Sequence, residues 1–200
     1  MNGFQPVEAM PRSRAFALPS GESVLLRTIH PQDAGTLRAY LQRLSPETRR
    51  NRFLGAVNEL APRELERLAH LNRPGGVALL AFTGTGRDAD MIGEALCVIA
   101  PGSARGEIAL SVMDPWQSRG LGQLLMQHIE CRARAFGARH LFGEVLRTNA
   151  AMKGLARKAG FSIVSPFTDA RLIEIVKDLS LTPPSSLCRE QFAELPSIAA

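Results

Sequence analysis

The feature that most constrains this 200-residue chain is a strand that runs through a short two-glycine loop directly into a helix, Ser111-Val-Met-Asp-Pro-Trp-Gln-Ser-Arg-Gly-Leu-Gly122. Such a junction aims several free backbone N–H groups and the positive end of a helix dipole at one spot, and a pyrophosphate fits there. A side chain at Gly120 or Gly122 would hold phosphate oxygens away from the amides, and Arg119 adds a positive charge. The junction is not a nucleoside-triphosphate loop, because no Gly-Lys-Ser/Thr follows. The dinucleotide pattern Gly-x-Gly-x-x-Gly also fails, since Leu125 stands at its third position.

The surrounding periodicity places the junction in a sheet. Val24 to Ile29 is apolar and β-branched and reads as a first strand, stopped by His30-Pro31. Ala34, Leu37, Tyr40, Leu41 and Leu44 recur at helical intervals, Ser45-Pro46-Glu47 reads as a cap and first turn, and Pro62 to Leu71 repeats the helical pattern. Val77 to Thr83, Met91 to Ala100 and Glu107 to Val112 read as an antiparallel meander. A helix follows over Gly120 to Phe136, then a strand over His140 to Leu146 and a helix over Asn149 to Ala159. Strands over Phe161 to Val164 and Leu172 to Lys177 complete the order.

At 45% hydrophobic and 22% charged residues, the chain can bury one sizeable core, expected over residues 21–178 with loose ends at 1–20 and 179–200. The longest apolar runs, Val77 to Phe82 and Ala95 to Ala100, fall far short of the roughly 20 residues of a membrane helix, and the N-terminus lacks the apolar core of an export signal. A cytoplasmic protein is expected. Three cysteines without close pairs, Cys97, Cys131 and Cys188, suggest reduced thiols, and neither they nor the four histidines have metal spacing. A net charge of +5 suits a phosphate-rich cofactor or an acidic partner. The arginines are spread over several elements with few aromatics, so nucleic-acid binding is not indicated.

The junction resembles motif A of the GNAT acetyltransferases, a (Gln/Arg)-x-x-Gly-x-(Gly/Ala) signature matched by Gln117, Gly120 and Gly122. The resemblance covers roughly Gly21 to Asp178. It implies an α/β GNAT fold: a mixed, mostly antiparallel central sheet of about six to seven strands flanked by helices. It also implies acetyl-CoA as cosubstrate, without a metal. The CoA pyrophosphate would lie on the turn of Gln117, Ser118, Arg119, Gly120, Leu121 and Gly122, and the pantetheine arm along the backbone around Val112 and Met113. Asn149, opening a helix that closes with Lys158-Ala-Gly-Phe161, matches an asparagine that contacts the pantetheine; its alternative role is helix capping. Trp116 either covers the loop or packs beneath it.

Where many members of that family carry a tyrosine that protonates the departing thiolate, this chain has Ala156, and its only tyrosine is Tyr40. A thiol with a pKa near 8.5 is already a tolerable leaving group near neutral pH. The amine is the harder problem, because a lysine with a pKa near 10.4 holds its neutral form about 5 kcal/mol uphill at pH 7. Glu94, Glu107 and Glu144 lie inside expected strands, where charge is costly unless used or paired. Glu107 is the first choice for a general base, because its strand runs into the loop, and Glu144 is the second; a solvated or ion-paired glutamate is the alternative. Thr48-Arg-Arg-Asn-Arg-Phe-Leu54 and Gly106-Glu-Ile-Ala-Leu-Ser-Val112 look like the GNAT domain of bacterial protein-lysine acetyltransferases, where a Glu-(Ile/Phe)-Ala strand brings the general base. That likeness implies a protein lysine as acceptor, with an acyl-CoA synthetase as a candidate partner. Such enzymes often carry an extra regulatory domain, for which 200 residues leave no room. Transfer to a small amine and a non-catalytic acyl-CoA sensor are the competing readings. Arg49, Arg50 and Arg52 read either as a solvated helix face or as contacts to the CoA 3′-phosphate or an acidic partner.

Overall fold

The computed structural model describes residues 13–57, 59–72, 75–84, 86, 89–165 and 169–181; the expected loose ends lie outside it over 1–12 and 182–200, as does Cys188. Eight strands form one sheet in the order β1-β2-β3-β4-β5-β6-β8-β7. β1 (Arg14–Ala17) and β2 (Ser23–Thr28) make an antiparallel hairpin, and β3 (Gly76–Thr83), β4 (Asp90–Ile99) and β5 (Arg105–Val112) make the expected meander. β6 (His140–Leu146) lies parallel to β5, and β8 (Leu172–Asp178) pairs antiparallel with both β6 and β7 (Ser162–Val164). The count exceeds six to seven because of β1, whose four residues were expected in the loose N-terminal segment. Their backbone is satisfied by pairing Arg14↔Leu26 through Ala17↔Ser23, which no local periodicity signals.

α4 (Leu121–Ala135) and α5 (Ala150–Lys158) cover the back of the sheet. Leu121, Leu125, Met126 and Ile129 of α4 pack there with Ile92, Ala95, Ile108 and Ile175. Deleting most of one such buried leucine costs about 2–5 kcal/mol. α1 (Ala34–Arg43), α2 (Pro46–Phe53) and α3 (Pro62–Ala69) cover the front of β2 to β4, where Leu37, Tyr40 and Leu65 meet Leu80, Phe82 and Leu96. Each front helix starts on a local signal. A proline-led turn, Pro31–Asp33, precedes α1, while Ser45 caps α2 by accepting from the Thr48 amide at 3.2 Å, with Pro46 in its first turn. Pro62 opens α3. Among the described residues no helix is long and apolar enough to cross a membrane.

Candidate active site

β5 is paired with β4 from Gly106↔Ile99 to Val112↔Gly93, but with β6 only from Arg105↔His140 to Glu107↔Phe142. Just past that point the strands still touch, since a Cβ at Gly143 would lie 2.9 Å from the Ile108 carbonyl oxygen. Beyond it they diverge without further pairing. The end of β5 therefore lacks a strand partner on its β6 side, and an extended ligand with amides of its own can enter as a surrogate strand. Two groups near the mouth are already engaged: the Val112 carbonyl accepts from Gln117 Nε2 at 3.0 Å, and the Met113 amide donates to Ile92 O at 2.9 Å.

At the end of this wedge lies the glycine turn. Ser118 (φ 60) and Gly120 (φ 96) both adopt left-handed backbone, and no side chain caps α4 at Gly120, so its first-turn amides are left to a ligand or solvent. The glycines are required by packing as well as by any phosphate. A Cβ on Gly120 would lie 2.6 Å from Pro19 Cδ, and one on Gly122 would lie 3.3 Å from Leu155 Cδ2 of α5. The β1–β2 hairpin thus rests on the turn: Ser20 Oγ donates to the Arg119 carbonyl at 3.1 Å, and the Arg119 guanidinium pairs with Glu22 and stacks on Trp116 at 5.4 Å. Trp116 itself packs against the back core. Leu121 is 0% exposed, so only its backbone can face a ligand.

The Gln117 side chain points inward and also donates to Thr48 Oγ1 at 3.1 Å. Thr48 and Ser45 in turn donate to Asp114 Oδ1 at 3.1 and 2.8 Å. Partial burial alone would raise the Asp114 pKa, but these hydroxyl groups outweigh it and hold the carboxyl below its ordinary value. The signature glutamine therefore stitches the loop to the N-terminus of α2.

A buried polar network lies beside the wedge. Arg52 Nε of α2 donates to Glu94 Oε1 at 2.6 Å, Ser111 Oγ donates to the same oxygen at 3.0 Å, and Tyr40 OH lies 3.0 Å from Ser111 Oγ. Tyr40 is 0% and Glu94 2% exposed. Neither Tyr40 nor Ser111 stands out in the sequence: Tyr40 sits on the apolar stripe of α1, and the only signal is a polar residue interrupting the apolar run of β5.

Glu107 is different. It alternates with Ala109 and Ser111, so it faces front, yet α1 to α3 stop short of it and it is exposed. Glu144 is exposed on the same face, directly opposite Glu174 of β8. Arg105 takes up Glu174 at 3.2 Å and lies over the Phe142 ring at 4.5 Å. Of the three strand glutamates, only Glu94 meets the expectation of a costly buried charge. Of the arginines, Arg52 is committed to Glu94, and Arg49 donates to the carbonyls of Gln42 and Leu44; Arg50, Arg63 and Arg67 are exposed.

Asn149 caps α5, with its Oδ1 accepting from the Met152 amide at 2.9 Å, and Ala156 is 0% exposed in the back core rather than open to the wedge. Burial, reinforced by the Glu107 carboxylate, pushes the Cys97 thiol up to about 12, so it is no nucleophile near neutral pH.

Residues 39–161 match the sequence profile of the Acetyltransferase (GNAT) family. An acetyltransferase of Pseudomonas aeruginosa is 30% identical over 165 residues, spanning 78% of this chain and 89% of that one. The GNAT domain of Streptomyces lividans PAT superposes with a TM-score of 0.75 at 23% identity, covering 84% of this chain and 97% of that one. The yncA protein of Salmonella typhimurium, solved with its cofactor acetyl-CoA, superposes at 0.62 and 16% identity, covering 82% and 98%. The chain therefore belongs to the GNAT acetyltransferase family. It is an acetyltransferase with acetyl-CoA as its cosubstrate.

Proposed function

We propose that the chain moves the acetyl group of acetyl-CoA to the side-chain amine of a protein lysine by direct attack, with Glu107 as general base. The observation that carries this reading is the position of Glu107: it is the last β5 residue paired to β6, exposed on the open front face at the point where the wedge begins. The pyrophosphate would lie on the amides of the Ser118–Gly122 turn, the pantetheine arm in the wedge, and the Asn149 amide nitrogen beside that arm. Glu107 takes a proton from the ammonium. The neutral amine then adds to the thioester carbonyl, the C–S bond breaks, CoA leaves as a thiolate that no residue at position 156 protonates, and the second N–H proton passes from the nitrogen to water to leave the neutral amide. Arg50, Arg63 and Arg67 are exposed and supply a basic surface that would steer an acidic acceptor protein more than hold it.

Glu107→Gln keeps shape and loses basicity, so kcat falls about 10²- to 10⁴-fold while acetyl-CoA affinity holds. Mass spectrometry of proteins and small amines exposed to acetyl-CoA and the enzyme tests both parts. Full activity of a folded Glu107→Gln enzyme removes the base. Modification of free polyamines with no acetylated lysine on any protein replaces the acceptor.

A further inference from the structure

The hydrogen bonds around Ser111 have a forced direction. The Ser111 proton goes to the Glu94 carboxylate, so the Tyr40 hydroxyl must supply the proton in its own bond to Ser111 Oγ. Burial, with the Glu94 charge second, raises the phenol pKa far above its ordinary value, so Tyr40 remains a donor throughout the working pH range. Arg52 closes the chain from the opposite end. Four residues from four elements, α1, β5, β4 and α2, thus converge on one oxygen and one hydroxyl. They do so on β5 beyond the last β5–β6 pair, where that strand has β4 on one side and no strand on the other. A chain anchored on a buried ion pair defines geometry more sharply than apolar packing does.

We propose that Tyr40 and Glu94 are positioning residues for acyl transfer: acting through Ser111, they fix the end of β5 that β6 leaves unpaired, so that its backbone polarises the thioester carbonyl. The proposal rests on the cofactor lying in the wedge and is independent of which amine accepts. Tyr40 touches neither substrate on this view.

The test uses the full chain with [1-¹³C]acetyl-CoA and isotope-edited infrared spectroscopy. Bound to wild-type protein, the carbonyl band should move to lower frequency than in solution. In Tyr40→Phe, which keeps the buried ring, the band should return part of the way. The dissociation constant should stay within about twofold, because neither hydroxyl contacts the cofactor. Turnover with poly-lysine should fall about tenfold, the rate equivalent of one hydrogen bond. Ser111→Ala should have the larger effect, and adding Tyr40→Phe to it should change nothing further. An identical band in wild-type and Tyr40→Phe protein, or additive effects in the double variant, overturns the proposal even if melting temperature drops. Failure of wild-type protein to bind acetyl-CoA overturns the cofactor placement and this proposal together.

Discussion

Glu94 and Glu107 stand on neighbouring strands of the same sheet face and meet opposite fates. Glu94 lies under α1 and α2, and its charge is met by Arg52 and Ser111. Glu107 lies where the helices end and no partner reaches it among the described residues. One residue type in one kind of strand therefore meets two environments, and the roof of helices decides which. A buried carboxylate committed to an arginine organises structure, while an exposed one at the mouth of a wedge stays open to solvent. Asp114 lies between these extremes, at the rim, held by two hydroxyl groups.

Removing one partner of the buried pair should give the largest effect. Arg52→Met leaves the Glu94 charge buried and unanswered, and a loss of about 3–5 kcal/mol in urea denaturation is expected. A loss below about 1 kcal/mol, as for a surface pair, would mean that the two glutamates differ less than their burial indicates. Gly120→Ala tests whether the glycine turn shares the rigidity of the covered side. Its φ of 96 and the 2.6 Å approach to Pro19 predict about 1–3 kcal/mol of destabilisation, together with weaker acetyl-CoA binding by calorimetry. A variant as stable as wild type with unchanged affinity would show that the hairpin does not brace the turn.

Asp114 should give an effect of about 1 kcal/mol, visible as a pH dependence. Its folded pKa is depressed, so its contribution is present above the ordinary aspartate value near 4 and is lost as the pH falls through the folded value. Asp114→Asn should flatten the acid side of the stability curve in urea titrations between about pH 5 and 2.5. An unchanged slope would show that the hydroxyl groups of Ser45 and Thr48 do not favour the charged form. The smallest effect belongs to Glu107→Gln, whose stability should stay within about 0.5 kcal/mol of wild type even as its kcat collapses. A marked loss of stability there would erase the contrast with Glu94.

Local signals determined much of this protein. The strand–loop–helix junction from Ser111 to Gly122, the helix under Leu121, Leu125 and Ile129, and the meander before them were legible because period, turn residues and caps act over a few residues. Only the tertiary structure decided the rest. β1 exists because β2 supplies its hydrogen bonds, so Arg14-Ala-Phe-Ala carries no strand signal of its own. Gly120 and Gly122 could be read as phosphate contacts, yet their crowding against Pro19 and Leu155 depends on chain folded in from about 100 residues before Gly120 and about 30 after Gly122. Arg52 looked like a free charge until α2 laid it on Glu94, and Tyr40 like a core residue until α1 brought its hydroxyl to Ser111, 71 positions away. Burial and pairing across such separations are properties of the assembled layers, because a side chain's charge state and partners depend on what covers it, and the sequence around it does not say what that will be.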